Sequence, residues 1–293
     1  MRWEGQRQSD NVEDARGAGG GGGGLRLGGG SLGLGTIAVA LVAGWLLGVN
    51  PLTLLSMLSG GGPVEQSEPA PARAPAAAGN DPSLQFVSVV LADTEDIWGE
   101  VFRENGRTYQ EPKLVVYRGS YPTACGRGSA AMGPFYCPGD QKVYLDLGFF
   151  DTMRQQLGSP GDFAQAYVVA HEVGHHVQNL LGVTAKVDGM RGQLSERRMN
   201  ALSVKVELQA DCFAGVWAQR SQQSKQWLEQ GDLEEALNAA SQIGDDRLQQ
   251  QAGRTVQPDA FTHGTSAQRV AWFRKGAESG SVKSCDTFSA SQL

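Results

Sequence analysis

The stretch AYVVAHEVGHHVQNLLG, residues 166–182, determines how the rest of the chain is interpreted. It contains His171-Glu172-x-x-His175, and two residues four positions apart on an α-helix project from the same face. Two imidazole nitrogens on one face can supply half of a tetrahedral zinc site. Glu172 could take a proton from a water at that site, which is the chemistry of a zinc hydrolase. The alternative is a helix with surface histidines and no metal.

A second pattern of charged residues lies on the helix predicted from Asn200 to Trp217. Catalytic zinc normally has three protein ligands, so the two histidines leave the site incomplete. Glu207 and Asp211 are four residues apart and share one face of this helix. Glu207 is therefore the candidate third ligand. Asp211 could accept the free ring N–H of a ligand histidine and fix its tautomer. Apolar neighbours argue against the alternative, a solvent-exposed acidic pair.

Four segments together resemble one known family. They are HEVGHH, SVKVELQADCFAGVWA, ACGRGSAAMGPFYCPGDQKVYLDLGFF (124–150) and FTHGTSAQRVAWFRKG (261–276). The chain is similar to the bacterial family of neutral zinc metallopeptidases, membrane-anchored proteins of the zincin type. The resemblance extends from about residue 80 to the C-terminus.

This resemblance implies a role for each residue of the predicted site. It implies one catalytic Zn²⁺ ion held by His171, His175 and Glu207, with Glu172 as the catalytic base. A broader resemblance to gluzincins implies that Asp211 lies behind His171. We therefore expect a metalloendopeptidase that acts on a protein or peptide substrate. The alternatives are a catalytically inactive zinc-binding or scaffold domain, or an amidase that acts on cell-wall peptides.

Only one of the four histidines, His263, lies outside the stretch 166–182. Peptide hydrolysis passes through a tetrahedral oxyanion, which a hydrogen-bond donor stabilises. His263 or Arg269 could be this donor, as a histidine is in related gluzincins; the alternative is a loop histidine that hydrogen-bonds the backbone. His176 points about 100° away from His175 on the helix. We expect it to pack or to support the site rather than to bind metal.

The N-terminal part of the chain has a different composition. Residues 1–30 are polar and then glycine-rich, which predicts a disordered cytoplasmic tail. Residues 31–50 carry no charge and are long enough for a transmembrane helix. Residues 51–81 are rich in Gly, Pro and Ala, as is typical of a linker. The folded domain is predicted at residues 82–293.

The distribution of basic residues predicts the orientation of this chain in a membrane. Four arginines precede the uncharged segment, and the first basic residue after it is Arg73. The positive-inside rule therefore predicts a single-pass signal anchor in the cytoplasmic membrane, with the catalytic domain outside. A cleaved signal peptide is the alternative. The net charge of −6, without a basic run in the predicted domain, gives no indication of nucleic-acid binding.

The four cysteines, Cys125, Cys137, Cys212 and Cys285, all follow the predicted membrane segment. An even number in an exported domain indicates two disulfides. A bond between Cys125 and Cys137 would close a short loop, and one between Cys212 and Cys285 would tie the C-terminal region to the second helix. The other pairings, and free buried thiols, remain alternatives.

Hydrophobic spacing and the resemblance together predict a helix-rich, zincin-like α+β domain with one small sheet. A helix is predicted from Pro82 to Glu104, a strand at Lys113–Arg118 and a hairpin at Pro134–Asp146. The hairpin comes shortly before the histidine helix. The resemblance to zincins indicates that Lys142–Leu147 or its partner strand lines the substrate cleft; a purely structural hairpin is the alternative.

Overall fold

The computed structural model of the protein describes residues 1–17, 81–129, 133–253, 255–290 and 293. Its strands are β1 (Val12–Asp14), β2 (Lys113–Tyr117), β3 (Ser120–Thr123), β4 (Gly126–Ser129), β5 (Phe135–Cys137) and β6 (Lys142–Asp146). Its helices are α1 (Pro82–Glu104), α2 (Gly148–Gln155), α3 (Asp162–Leu180), α4 (Val183–Asp188), α5 (Glu196–Lys225), α6 (Asp232–Gln242), α7 (Asp245–Gln251) and α8 (Ser266–Ser279). The architecture of these residues is α+β and helix-rich, as predicted.

The main sheet has the strand order β1-β2-β6-β5. β2 runs parallel to both of its neighbours, and β5 runs antiparallel to β6. The hairpin predicted at 134–146 is present as β5 and β6, with Gln141 at a φ of 58° in the connecting turn. This arrangement leaves β5 at one edge of the sheet. β3 and β4 form a separate antiparallel pair.

Residues 1–17 are part of the folded unit, which corrects the disordered tail predicted for residues 1–30. β1 pairs with β2, so that Glu13 lies opposite Val115. Glu13 also binds Lys113 and Lys142, with N–O distances of 3.0 and 2.8 Å. Backbone pairing and ion pairs thus hold β1 against the sheet. Residues 18–30 and 51–80 lie outside the described residues.

Further contacts connect this N-terminal segment with the helices. The buried amino group of Met1 lies 3.0 Å from a carboxylate oxygen of Asp162, in the first turn of α3. The Trp3 ring packs edge-on against Phe86 of α1, with ring centroids 5.4 Å apart. The folded unit therefore comprises residues 1–17 together with the chain from residue 81, rather than 82–293 alone.

The predicted transmembrane helix and the predicted location in the cytoplasmic membrane need correction. Among the helices that the structure describes, none combines the length and the apolar composition needed to cross a membrane. The two longest, α1 and α5, each contain several charged residues. The segment 31–50, on which the prediction was based, lies outside the described residues.

Glycine allows α5 and α8 to pack with their backbones in close contact. A Cβ atom on Gly215 would lie 2.1 Å from the carbonyl oxygen of Phe273. One on Gly276 would lie 2.0 Å from the carbonyl oxygen of Cys212. No other residue type fits at such a crossing. This contact places α8 directly beside the face of α5 that carries Asp211.

Both disulfides form in the pairs considered above. Cys125 is bonded to Cys137 and connects the β3–β4 hairpin with the edge strand β5. Cys212 is bonded to Cys285 and ties the C-terminal segment to α5. Both sulfur atoms of the second bond belong to fully buried residues. The first bond therefore fixes the edge of the sheet, and the second fixes the helix that carries Glu207.

Candidate metal centre

His171, His175 and Glu207 lie together between α3 and α5. Their donor atoms are all within 4.8 Å of one another. Nε2 of His171 is 3.2 Å, and Nε2 of His175 is 3.5 Å, from a carboxylate oxygen of Glu207. The three side chains are 8%, 17% and 18% exposed, so one side of the group remains accessible. Two imidazoles and one carboxylate are a donor set that fits zinc.

Packing between the two helices determines this geometry. Gly174, inside the histidine motif, faces Ala210 of α5, and a Cβ atom there would lie 3.0 Å from the Ala210 carbonyl oxygen. Because both residues are small, the helices approach closely enough for Glu207 to reach both histidines. The three candidate ligands can therefore come together only because α3 and α5 pack closely at this point.

Charges within the group stabilise one another strongly. Burial lowers the pKa of His171, but the carboxylates of Asp211 and Glu207 outweigh burial and raise it to about 10. Glu207 likewise raises the pKa of His175, again against burial. Burial raises the pKa of Glu207, but the two histidines outweigh it and hold this pKa well below its usual range. The two carboxylates thus favour positive charge at the position that a divalent cation would occupy.

Asp211 supports His171 from behind. Its Oδ1 lies 2.9 Å from Nδ1 of His171, so Nδ1–H donates and Nε2 is free to face Glu207. Tyr167 donates to the same oxygen at 2.5 Å. Arg269, which is 2% exposed, donates to both carboxylate oxygens of Asp211. Its Nε lies 2.8 Å from Oδ2, and its Nη2 lies 2.9 Å from Oδ1. Arg269, one of the two candidate oxyanion donors, therefore directs its guanidinium at Asp211.

The three candidate ligands line a cleft of about 920 Å³. Glu172, 7% exposed, belongs to the same lining. The edge strand β5 contributes Phe135 and Tyr136, so the partner strand of Lys142–Leu147 borders the cleft. Apolar and charged side chains complete the walls, among them Phe149, Leu157, Val168, Val187, Asp188 and Arg191. The three candidate ligands thus lie in the wall of an accessible cleft.

His263 also borders the cleft, with half of its side chain exposed. Its Nδ1 lies 3.1 Å from Oδ1 of Asp245. The other oxygen of Asp245 accepts hydrogen bonds from the backbone N–H groups of Thr262, His263 and Gly264, at 2.7, 2.6 and 3.0 Å. The hydrogen bond to Asp245 raises the pKa of His263, although burial opposes it. The carboxylate of Asp245 therefore fixes both the backbone at residues 262–264 and the ring of His263.

His176 turns away from the group. Its Nε2 donates to the carbonyl oxygen of Gln110 at 2.6 Å, and its Nδ1 lies 3.1 Å from the Tyr136 hydroxyl. Burial lowers the pKa of this fully buried ring. His176 therefore supports the edge strand at the cleft and makes these contacts in place of a metal contact.

Two supporting residues on α3 are missing from the sequence predictions. Tyr167 lies four positions before His171 on α3, and Gln178 lies three positions after His175. Helical spacing puts both on the histidine face. That spacing was the available signal, but a tyrosine or glutamine on a partly apolar helix is commonplace and did not stand out.

The chain belongs to the family described as "Putative neutral zinc metallopeptidase", whose model matches residues 1–288. It is 54% identical over 295 residues to the uncharacterized protein YpfJ of Escherichia coli K12, which covers 99% of this chain and 100% of that protein. It is 45% identical over 195 residues to the uncharacterized protein Rv2575 of Mycobacterium tuberculosis H37Rv, or 63% of this chain and 65% of that protein. No solved structure matches the chain. The family match thus includes the N-terminal strand, and the family description implies zinc.

Proposed function

We propose that this protein is a zinc-dependent metallopeptidase that hydrolyses peptide bonds in proteins or peptides. The observation that carries the proposal is the convergence of His171, His175 and Glu207, from two helices, on one side of an open cleft. Glu172 lies on the same helix and borders the same cleft. A purely structural metal site would not need an acidic residue in this position, and it would be closed to solvent.

The residues present fit a zinc ion. Nε2 of His171, Nε2 of His175 and the carboxylate of Glu207 would hold it. When bound, zinc supplies Lewis acidity, which acidifies water and polarises a carbonyl group. Asp211 keeps Nε2 of His171 free for this role by accepting the Nδ1 proton.

Glu172 is the proposed general base and general acid. Its carboxylate removes a proton from the water that attacks the carbonyl carbon. As the C–N bond breaks, it delivers that proton to the leaving amine nitrogen. Its place in the lining of the same cleft as the three candidate ligands supports this role.

His263 is the proposed donor to the oxyanion. Because Asp245 engages Nδ1, Nε2 of His263 remains to donate a hydrogen bond to a carbonyl oxygen that gains negative charge. The raised pKa of His263 favours the protonated ring, which is the better donor.

The proposal is tested on the full chain by measuring bound zinc and peptide hydrolysis in three proteins. The wild type should hold about one zinc ion, and His175→Ala should lose it. Glu172→Gln should keep zinc but lose hydrolysis of a mixed peptide library by about 10²–10⁴-fold. A folded wild type without zinc would overturn the proposal, and an active Glu172→Gln variant would overturn the role of the base.

A further inference from the structure

The two histidine rings are held by different groups. Nδ1 of His171 faces the Asp211 carboxylate, whereas Nδ1 of His175 lies 2.8 Å from Oε1 of Gln178. Gln178 is fully buried, at 0% exposure. It follows His175 by three positions on α3, so the two side chains share one face of the helix. A neutral amide thus supports the second histidine where a carboxylate supports the first.

The surroundings of Gln178 determine which way its amide points. Its Nε2 donates to the carbonyl oxygen of Val206 at 2.7 Å and to Oε1 of Gln209 at 3.1 Å. Both are acceptors, so the NH₂ group must face them and the amide oxygen must face His175. Gln209 is oriented in turn, because its Nε2 donates to the carbonyl oxygen of Cys285 at 3.0 Å. A reversed Gln178 amide would place three oxygens together in a buried site, which is costly.

We propose that Gln178 is a positioning residue for the metal. It accepts the Nδ1 proton of His175 and thereby directs the Nε2 lone pair at the position beside Glu207. A neutral imidazole has two tautomers, and only the one with a bare Nε2 can bind metal through that atom. The inference rests on the proposed function, because it concerns the same centre, and it adds a residue that neither the motif nor the ligand set contains.

Gln178 also connects the two helices that supply the ligands. Val206 directly precedes Glu207, so the bond from Gln178 to the Val206 carbonyl holds the backbone of α5 beside the third ligand. One side chain on α3 therefore contacts a candidate ligand on its own helix and the backbone next to a ligand on the other. Loss of Gln178 should disturb both the tautomer of His175 and the spacing of the ligands.

The test is the zinc affinity of the full-length Gln178→Met variant, measured by competition with a chelator. Methionine has a similar length but cannot take the place of the amide. We expect zinc binding to weaken by about 10–100-fold, the usual effect of losing a group that orients a ligand. The matched control is Gln242→Met, which removes another buried amide (8% exposed) on α6 that donates to Asn238. Its zinc affinity should remain that of the wild type.

A spectroscopic measurement separates positioning from simple loss of stability. With cobalt in place of zinc, the visible absorption of saturated Gln178→Met should differ from the wild type in position or intensity, since the ligand geometry differs. Gln209→Met removes the acceptor behind Gln178 but leaves its contact with His175, so its loss of affinity should be smaller. This variant keeps the test decisive if Gln178→Met does not fold.

The outcomes distinguish the two proposals. A folded wild type that binds no zinc overturns the metallopeptidase itself. A wild type that binds zinc, with Gln178→Met equal to it in affinity and cobalt spectrum, overturns only the role of Gln178. An equal loss of zinc affinity in Gln178→Met and Gln242→Met also overturns that role. If Gln178→Met cannot be prepared, an unchanged zinc affinity in Gln209→Met overturns it.

Discussion

At the scale of single residues, Asp211 connects His171 with two further side chains behind the candidate ligands. It is fully buried and accepts hydrogen bonds from His171, Tyr167 and Arg269. Burial raises its pKa, but Arg269 and His171 outweigh burial and hold that pKa below its usual range. The carboxylate is thus kept ionised by the groups it holds in place.

Asp211→Asn should therefore destabilise the protein severely. The change leaves the buried Arg269 without its counter-charge, and breaking a buried ion pair typically costs about 3–5 kcal/mol. Urea denaturation measures the free energy of unfolding. The control is Asp188→Asn, an exposed acid at the cleft, which should change it by less than about 0.5 kcal/mol. Equal effects of the two variants would contradict the central position of Asp211.

His263→Ala should slow the reaction without releasing zinc. Loss of one donor to an oxyanion typically lowers kcat by about 10²–10³-fold. Steady-state kinetics on a cleaved peptide and the zinc content give the two measurements. Asp245→Asn should lower kcat less, since the ring remains but is oriented less firmly. An unchanged kcat in His263→Ala would remove this residue from the mechanism.

Sequence spacing predicted part of this residue-level arrangement. The four-residue intervals from His171 to His175 and from Glu207 to Asp211 are visible without a structure, because a helix brings such positions to one face. The partners of these residues are not visible in this way. Asp245 is 18 positions from His263, and Gln209 contacts Gln178 across two helices, so tertiary packing alone brings them together.

At the scale of elements, the crossing of α5 and α8 depends on glycine. Gly276→Ala should lower the free energy of unfolding by about 1–3 kcal/mol or more, because the added methyl group overlaps the Cys212 carbonyl. Gly99→Ala is the matched control. A Cβ on Gly99, within α1, meets nothing within 4 Å, so this change should stabilise by up to about 1 kcal/mol. Equal signs for the two changes would contradict the close crossing.

The attachment of β1 should depend on acidity. Burial raises the pKa of Glu13, but Lys142 and Lys113 outweigh it and lower the pKa below 4.5. A lowered folded-state pKa gives stability that is complete above 4.5 and is lost as the pH falls through the lowered value. The difference in thermal midpoint between wild type and Glu13→Gln should therefore shrink from pH 6 to pH 3. A difference independent of pH would show that the ion pairs contribute nothing.

Elements with strong periodicity were predicted well, and short ones were not. The helix predicted at 82–104 has the bounds of α1, where Asp81 caps the first turn. β1 is only three residues long and pairs with a strand about a hundred residues away, so no local pattern indicates it. β3 and β4 are four residues each, and β4 contains Gly126 and Gly128, so no alternating apolar pattern indicates this pair.

At the scale of the whole molecule, the N-terminal segment is part of the fold. Deletion of residues 1–17 should lower the midpoint of thermal unfolding, because it removes the Glu13 ion pairs and uncovers one edge of β2. An uncovered edge strand also favours association between chains. Calorimetry and light scattering measure the two effects. A truncated protein that melts like the full chain and stays monodisperse would contradict this prediction.

Composition was a poor guide at this largest scale. The polarity and glycine content of residues 1–30 predicted disorder, yet residues 1–17 include β1, a strand of the main sheet. Polar residues that pair with a distant strand have no compositional signature, since backbone hydrogen bonds are available to any sequence. The family match from residue 1 is consistent with this larger fold.

The pairing of β1 with β2 has a consequence for synthesis on the ribosome. Val12 lies opposite Leu114, so 102 residues are added between the appearance of the first strand and that of its partner. At about 5–20 residues per second, the first strand waits on the order of 5–20 seconds before it can pair. β6, the other neighbour of β2, follows β2 after fewer than thirty further residues. β1 is the first strand to be made and therefore stays unpaired for the longest time. During that time chaperones can bind it, before β2 is available to pair with it.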